Sequence, residues 1–182
     1  MRTFVAIEIN DKNLLEQIQK MQSKLEINAK PISLENMHFT LFFLGEITIE
    51  MSEKIKQVLS SIKFSSFQIT FSEVGVFPKP KFPRIIWIGI DEKGAKRLNL
   101  IAKEVQEKLS GLGFKQDKPF KPHVTIFRIK NKIGDISDKL AQLTISGNQR
   151  ISALKFKKSV LSSNGPIYTD LQVIKAKNET NS

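Results

Sequence analysis

The sequence predicts an α+β protein built as a bilobal, duplicated α/β unit, in which two antiparallel sheets face a central cleft about a pseudo-twofold axis. About four helices and seven or eight strands follow one another in mixed order, which favours antiparallel sheets over a parallel doubly wound fold. No glycine-rich phosphate loop follows the first strand, so a Rossmann fold has no support. Two matching pentapeptides, 85 residues apart in a chain of 182, each follow a helix and open a strand, which indicates duplication.

The first half of the chain predicts strand, helix, strand and helix. Residues 2–9 alternate in polarity and are rich in Phe, Val and Ile, which predicts a strand. Asn10 or Asp11 caps a first helix. Its apolar stripe consists of Leu14, Ile18, Met21 and Leu25. Residues 31–36 predict a connector, and residues 38–44 predict an apolar strand that stops at Gly45. The apolar positions of a second helix are Met51, Ile55, Val58, Leu59 and Ile62.

The second half predicts further strands, a third helix and a closing hairpin. Residues 67–77 and 84–90 predict strands, and residues 78–83 predict a loop, because three prolines in six residues disfavour a sheet. The third helix ends at Gly111 or Gly113. Its apolar positions are Leu98, Ile101, Ala102, Val105 and Leu109. The remaining predicted elements are a strand over 123–129, a short helix over 135–143 and a hairpin of 151–161 with 167–176 around Asn164-Gly165.

The composition predicts a single domain over residues 1–182, with residues 176–182 as a frayed polar tail. The chain has no cysteine, which excludes disulfides, zinc–thiolate sites and a cysteine nucleophile. Because no signal peptide and no apolar stretch of membrane-spanning length are found, we expect a cytoplasmic protein without membrane contact. We also expect a monomer.

The positive charge is concentrated in the second half of the chain. The net charge is +11, of which residues 1–91 contribute +1 and residues 92–182 contribute +10. The basic residues around the second pentapeptide are Lys115, Lys118, Lys121, Arg128, Lys130 and Lys132. Such a surface favours nucleic acid or a phosphate ester as the partner. The alternative is that the charge only keeps the protein soluble.

Both histidines of the chain stand in the matching pentapeptides, His38-Phe39-Thr40-Leu41-Phe42 and His123-Val124-Thr125-Ile126-Phe127. With 8 threonines in 182 residues, the chance that both histidines carry Thr two positions later is about 0.002 on composition alone. The alternative is that both histidines are structural and that the helix–strand recurrence is accidental.

Strand alternation places each histidine and its threonine on one face. We therefore expect His38 and Thr40, with His123 and Thr125, to line a groove. The side chains expected on the opposite face, under helices, are Phe39, Leu41, Phe43, Val124 and Ile126. Two imidazoles suit a phosphodiester, because in-line attack at phosphorus needs a base on one side and an acid on the other. No metal site is predicted, because two histidines without cysteines or a carboxylate cluster are a poor ligand set.

On these motifs the chain resembles the 2H phosphoesterases, and within them the RNA 2′,3′-cyclic phosphodiesterases, historically called 2′-5′ RNA ligases. The resemblance rests on residues 2–7, 35–46 and 121–128. It implies a bilobal fold and an enzyme that hydrolyses a terminal 2′,3′-cyclic phosphate to a 2′-phosphomonoester without a cofactor. His38 would be the proton donor and His123 the proton acceptor, while Thr40 and Thr125 would hold phosphate oxygens.

The resemblance also implies that 2′-5′ linkages can be joined or cleaved, on RNA substrates that include tRNA fragments. Two other functions remain open: a non-catalytic RNA-binding module, and a 2H enzyme acting on a small cyclic nucleotide. The acid and base assignments rest on the resemblance alone, because the two motifs are locally near-identical.

Further residues in and around the motif strands are candidates for binding the substrate. Arg128 resembles a phosphate-binding arginine of the family, but it lies five residues after His123, and regular alternation points it away from the groove. Either the strand bulges near Phe127 or Arg128 is a surface charge. Phe42 and Phe127 share the parity of the histidines and, like Trp87 and Phe77, are candidates for stacking on a base, core packing being the alternative. The lysines expected to guide RNA are Lys115, Lys118, Lys121 and Lys130.

Overall fold

The computed structural model describes residues 1–177, and within them the chain forms nine strands and four α-helices. The strands are β1 (Arg2–Glu8), β2 (Lys30–Pro31), β3 (His38–Glu46), β4 (Phe67–Lys79), β5 (Phe82–Ile90), β6 (Val124–Arg128), β7 (Gly147–Ile151), β8 (Ala153–Ser162) and β9 (Gly165–Lys175). The helices are α1 (Lys12–Lys24), α2 (Ile49–Ser60), α3 (Glu92–Ser110) and α4 (Ser137–Ala141), and a 3-10 turn spans Leu34–Asn36.

The strands form two antiparallel sheets of related order, and we call each sheet a lobe of the molecule. The first sheet is ordered β3-β1-β8-β9, and the second is ordered β2-β6-β5-β4-β7. Apart from the two-residue strand β2, each strand of the first sheet has a counterpart in the second. Strands β3, β1, β8 and β9 correspond to β6, β5, β4 and β7, in that order. The units β1–α1–β3 and β5–α3–β6 correspond, and each ends on a strand that begins at or beside a histidine. The predicted α+β class with two antiparallel sheets and pseudo-twofold duplication is confirmed.

The helices begin at polar caps that the sequence provides. Asp11 accepts a hydrogen bond from the Leu14 N–H at the start of α1. Thr48 and Asp91 cap α2 and α3 in the same way. Helix α1 buries Leu14, Ile18 and Met21 as its spacing predicts, and α3 buries its predicted stripe.

A single apolar core joins the two sheets. The covered face of the first sheet meets that of the second, where the rings of Phe39 and Phe71 stack with centroids 6.0 Å apart. Helix α1 packs against β6 and β7, while α3 packs against β4 and β3, so each helix ties its own repeat to the other. The opposite faces of the sheets stay open and carry the two motifs.

Three sequence-based boundaries were wrong. The proline-rich segment 78–83 is a hairpin rather than a loop, because Pro78 pairs with Pro83 at the strand ends and only Pro80 and Lys81 turn. Gly45 lies inside β3 at φ 75°, rather than ending it. The predicted closing hairpin is formed by β8 and β9, but its first strand begins at Ala153 rather than at residue 151, since Ile151 ends β7, which joins β4 in the other sheet.

The first two residues of the expected frayed tail are held by backbone hydrogen bonds. Ala176 donates its N–H to Ser152 and Lys177 donates its N–H to Phe64, so these two residues are bound to the body of the protein. Residues 178–182 lie outside the described residues. Within residues 1–177, none of the helices has the length and apolar character needed to cross a bilayer.

Candidate active site

A β-bulge follows the threonine in each motif strand. In the first sheet, Ala6 lies opposite Thr40 but Val5 lies opposite Phe42, so Leu41 is an extra residue in β3. In the second sheet, Trp87 lies opposite Thr125 and Ile86 opposite Phe127, so Ile126 is an extra residue in β6. Each bulge reverses the alternation of the strand beyond it.

The bulges correct the predicted directions of the aromatic residues. Phe42 and Phe127 point into the core, with only 1% and 2% of their surface exposed, so neither forms a stacking surface for a base. The expectation that Phe43 lies under the helices was also wrong, since it is 51% exposed.

The same shift turns Arg128 toward the open face that carries His123 and Thr125. Arg128 is exposed and the flanking Phe127 and Ile129 are buried, which is the bulged alternative of the prediction. The pKa of His38 is lowered chiefly by burial, and the positive charge of Arg128 adds to that effect from the other lobe. The corresponding position in the first motif is Phe43, over which Arg2 lies with its guanidinium carbon 5.0 Å from the ring centroid.

The backbone fixes both histidines in the same way. His38 Nδ1 lies 2.7 Å from the Asn36 carbonyl oxygen, and His123 Nδ1 lies 2.6 Å from the Lys121 carbonyl oxygen. A carbonyl oxygen only accepts, so each Nδ1 carries the proton that it donates. In both rings, Nε2 is left for proton transfer. His38 Nε2 also lies 3.0 Å from the Thr40 hydroxyl.

Aromatic rings hold each half-buried imidazole from the sides. Phe4 and Tyr168 contact His38, with ring centroids at 5.1 and 5.5 Å. On the other side, Phe77 and Trp87 lie at 5.2 and 6.4 Å from the centroid of His123. Burial raises the pKa of Tyr168 above its ordinary value, so its hydroxyl stays protonated well above neutral pH.

The surroundings of His38 favour its neutral form. Burial is the largest cause that lowers the pKa of His38, and the positive charges of Lys157 and Arg128 act in the same direction. The hydrogen bond to Asn36 and the negative charge of Glu8 oppose them without reversing the result. An anion bound beside the ring would therefore raise the proton affinity of His38.

Beside His38, four residues of the first sheet form a closed set of ion pairs, which we call the charged quartet: Glu8, Lys155, Lys157 and Asp170. Lys155 Nζ lies 2.7 Å from Glu8 Oε2 and 2.7 Å from Asp170 Oδ2. Lys157 binds the other oxygen of each carboxylate, at 2.5 Å for Asp170 Oδ1. Both ammonium groups thus bridge both carboxylates, and the side chain of Lys157 is only 6% exposed.

In the second sheet, an aromatic floor occupies the corresponding place. The Trp87 ring lies over two glycines: a Cβ on Gly75 would come within 2.2 Å of the ring, and one on Gly89 within 2.8 Å. Phe77 packs beside Trp87, with centroids 5.0 Å apart. The glycines are therefore needed for the indole to lie flat against the sheet.

The predicted lysines differ in their relation to the histidines. Lys121 anchors His123 through its carbonyl, and its ammonium lies 5.9 Å from the Phe77 ring centroid. Lys130 is exposed beyond the end of β6, and its carbonyl accepts a hydrogen bond from Arg84. Lys115 and Lys118 are exposed in the loop before β6. Within residues 1–177, no three His, Cys, Asp or Glu side chains gather as metal ligands.

Sequence reasoning missed the charged quartet and Tyr168. Glu8 and Lys157 are 149 residues apart and meet only because β1 pairs with β8. One signal was available: Lys155 and Lys157 alternate with the buried Leu154 and Phe156, which indicates a strand with one polar face.

Comparison with known proteins gives concordant matches. A family model described as LigT like Phosphoesterase matches residues 7–87 and again residues 88–168. The RNA 2′,3′-cyclic phosphodiesterase of Archaeoglobus fulgidus is 38% identical over 177 residues, covering 95% of this chain and 99% of the relative. The protein of that name from Methanocaldococcus jannaschii is 37% identical over 177 residues, covering 92% and 96%. Escherichia coli LigT in complex with 3′-AMP shares the fold with a TM-score of 0.79, at 21% identity over 97% of this chain and 98% of that chain.

Proposed function

Because this chain belongs to the LigT-like family of 2H phosphoesterases, we propose that it hydrolyses the 2′,3′-cyclic phosphate at the end of an RNA strand to a 2′-phosphomonoester. The observation that carries the proposal is the matched anchoring of His38 and His123. Each ring donates Nδ1–H to a carbonyl two residues earlier, which leaves Nε2 for acid–base chemistry.

In the proposed reaction, His123 Nε2 accepts a proton from water as the water oxygen attacks phosphorus. The bond between phosphorus and O3′ breaks in line, and protonated His38 gives its Nε2 proton to O3′. The products are a 2′-phosphomonoester and a free 3′-hydroxyl. Thr40, Thr125 and Arg128 stabilise the charged equatorial oxygens. His38 ends neutral and His123 protonated, and exchange with solvent restores both.

The low proton affinity of His38 in the free protein has a place in this reaction. The cyclic phosphate carries a negative charge, and its binding next to His38 offsets the burial and the cations that disfavour the imidazolium. We infer that His38 takes up its proton as the substrate binds, so that the acid forms where it is used.

An RNA substrate is supported by the charge and by the floor of the second lobe. Lys121, Lys130 and Arg128 present positive charge around His123, where RNA phosphates would lie. The ring of Trp87, with Phe77 beside it, offers an aromatic surface for the terminal base. With a 5′-hydroxyl in place of water, the same groups would join a 2′-5′ linkage, and tRNA fragments with cyclic ends are among the RNAs that fit. One chain supplies all these groups, so the proposed enzyme acts as a monomer.

The test is incubation with an oligoribonucleotide that ends in a 2′,3′-cyclic phosphate, in EDTA, followed by identification of the product ends. We expect 2′-phosphate ends only, and turnover lowered by about 10²–10⁴-fold in His38→Ala and in His123→Ala. The same oligonucleotide with a linear 3′-phosphate is the matched control and should stay unchanged. Absence of hydrolysis by the wild-type protein, or a requirement for added divalent metal, would contradict the proposal.

The two alternatives give different outcomes in the same assay. A non-catalytic RNA-binding module would retain the oligonucleotide in a filter-binding measurement without any turnover. An enzyme for small cyclic nucleotides would show a higher kcat/KM for 2′,3′-cyclic AMP than for the oligonucleotide. The proposal requires the reverse order, because only the longer substrate reaches Lys121 and Lys130.

A further inference from the structure

We propose that Glu8 and Lys157 of the charged quartet are positioning residues that set the proton affinity of His38 with opposite signs, and that the quartet thereby distinguishes the two histidines. This inference rests on the proposed function only for its catalytic consequence, since the proton affinity of His38 is a property of the free protein.

The strand register connects the quartet to His38. Glu8 is the direct neighbour of His38 across the β1–β3 pair. Lys157 lies opposite Phe4 in the β1–β8 pair, and the Phe4 ring contacts the imidazole. Asp170 lies opposite Lys157 and two residues after Tyr168, whose ring contacts the imidazole edge-on. Glu8 thus borders the histidine directly, while Lys157 and Asp170 each lie beside a residue that touches it.

The quartet is held in its charged form. Burial alone would raise the pKa values of Glu8 and Asp170, but hydrogen bonds from Lys155 and Lys157 bring both below their ordinary values. The same bonds raise the pKa of Lys155 against the effect of burial. The four groups sum to zero charge near neutral pH, so His38 faces a balanced set of fixed charges rather than one ion. Removing a single member leaves one uncompensated charge close to the ring.

The corresponding strand positions of the second lobe carry different residues. Lys155 lies opposite Ala6, and its counterpart Gly75 lies opposite Trp87. Lys157 lies opposite Phe4, and its counterpart Phe77 lies opposite Ile85. Ile88 pairs with Val124, the residue after His123. Gly89 therefore has the position next to His123 that Glu8 has next to His38. The positions that correspond to Lys155, Lys157 and Glu8 are therefore Gly75, Phe77 and Gly89, and the carboxylate on this side is that of Glu73, whose side chain lies against Gly89 without a lysine pair like that of the quartet among the described ion pairs.

The charged and titratable groups that face His38 come from four strands. They are Glu8 on β1, Lys155 and Lys157 on β8, Tyr168 and Asp170 on β9, and Arg128 on β6. Arg128 acts from the opposite lobe and Tyr168 is neutral, so the balance of fixed charge within the first lobe is set by the quartet. Glu8 favours the imidazolium and Lys157 disfavours it.

The experiment is an NMR titration of the two histidine Cε1–H signals, assigned with His123→Ala, in wild type, Glu8→Gln and Lys157→Met. We expect Glu8→Gln to lower the midpoint of the His38 titration and Lys157→Met to raise it, each by about one pH unit. The double variant should return close to wild type, and the His123 midpoint should stay in place throughout. Glu92→Gln, which breaks the exposed pair with Lys96 on α3, is the matched control and should move neither signal.

A merely structural role gives a different result. If both single variants shift His38 in the same direction, or shift His123 equally, the proposal is overturned. Asp170→Asn and Lys155→Met provide a second pair with the same expected signs, for use if Lys157→Met does not fold. Because the titration needs no substrate, its outcome is independent of the oligonucleotide assay. In the active enzyme, the alkaline limb of the kcat/KM profile should follow the shifted His38 midpoint in each variant.

Discussion

The two lobes carry the same His-x-Thr motif, but different side chains surround the histidine in each. Both have the same strand order, the same bulge after the threonine and the same carbonyl anchor on the histidine. The first lobe places an ionic quartet beside His38, whereas the second places an indole beside His123. The comparison teaches that two near-identical pentapeptides acquire different surroundings from their neighbours on adjacent strands.

The largest effect is expected from removing the histidine that each lobe carries. His38→Ala and His123→Ala should each lower kcat by about 10²–10⁴-fold, since each takes away one proton-transfer group. Single-turnover hydrolysis of the cyclic-phosphate oligonucleotide measures it. Binding of the oligonucleotide should change little by comparison, and a variant with wild-type kcat would show that its imidazole takes no part.

The next largest effect concerns stability and tests the β-bulge that follows the threonine in each motif strand. Phe42→Ala should lower the free energy of unfolding by about 3–5 kcal/mol, because a buried ring is lost from the core. The neighbouring Phe43→Ala, at an exposed position, should change it by about 0.5 kcal/mol or less. Urea denaturation of the two variants gives the comparison, and equal values would contradict the reversed alternation beyond Leu41.

A smaller effect is expected from substitution at the position where the two motif strands differ, Arg128 in β6 and Phe43 in β3. Arg128→Ala should lower kcat by about 10²-fold, because one donor to the phosphate oxygens is lost. Phe43→Ala, at the corresponding position of the first lobe, should leave kcat near that of wild type. If the two substitutions reduce kcat alike, Arg128 has no special role in the cleft.

The aromatic floor can be tested separately from catalysis. Trp87→Leu should weaken the binding of the oligonucleotide by about 1–3 kcal/mol through lost stacking, which raises KM more than it lowers kcat. Trp87→Phe keeps an aromatic face and should recover part of the affinity. A fall in kcat with unchanged KM would instead assign Trp87 to the support of His123.

The smallest effect is a displacement along the pH axis. In the proposed reaction His38 acts as an acid, so activity falls as pH rises through its pKa. Burial, together with the nearby cations, lowers that pKa in the free enzyme, and the proposed reaction requires bound substrate to raise it. The alkaline limb of kcat/KM, which reports the free enzyme, should therefore lie about one pH unit below that of kcat. Coincident limbs would show that substrate binding leaves the proton affinity of His38 unchanged.

Local patterns predicted most of the elements, because helix stripes and strand alternation depend on neighbours in the sequence. The helix caps at Asp11 and the buried stripe of α3 follow directly from them. The bulges at Leu41 and Ile126 did not follow, since a bulge is defined by the pairing with β1 or β5. That one missing feature explains why Phe42 and Phe127 were placed wrongly and why Arg128 was ambiguous.

Other features depended on contacts between distant segments. Nothing around Ser152 indicates that the strands on either side of it belong to different sheets. The charged quartet required four side chains from three strands, and Lys157 alone has no sequence signature of burial. The paired histidines were different, because the repetition of His-x-Thr is visible without any knowledge of the pairing.

The strand order also bears on how the protein is made. The first repeat, matched over residues 7–87, supplies β1 and β3 to one sheet and β4 and β5 to the other, while the remaining long strands come from the second. Neither repeat holds a whole lobe, so a nascent chain that has only its first half carries one histidine and two half-sheets with open edges. The charged quartet beside His38 needs both β8 and β9, so the surroundings of that histidine form only after these two strands leave the ribosome.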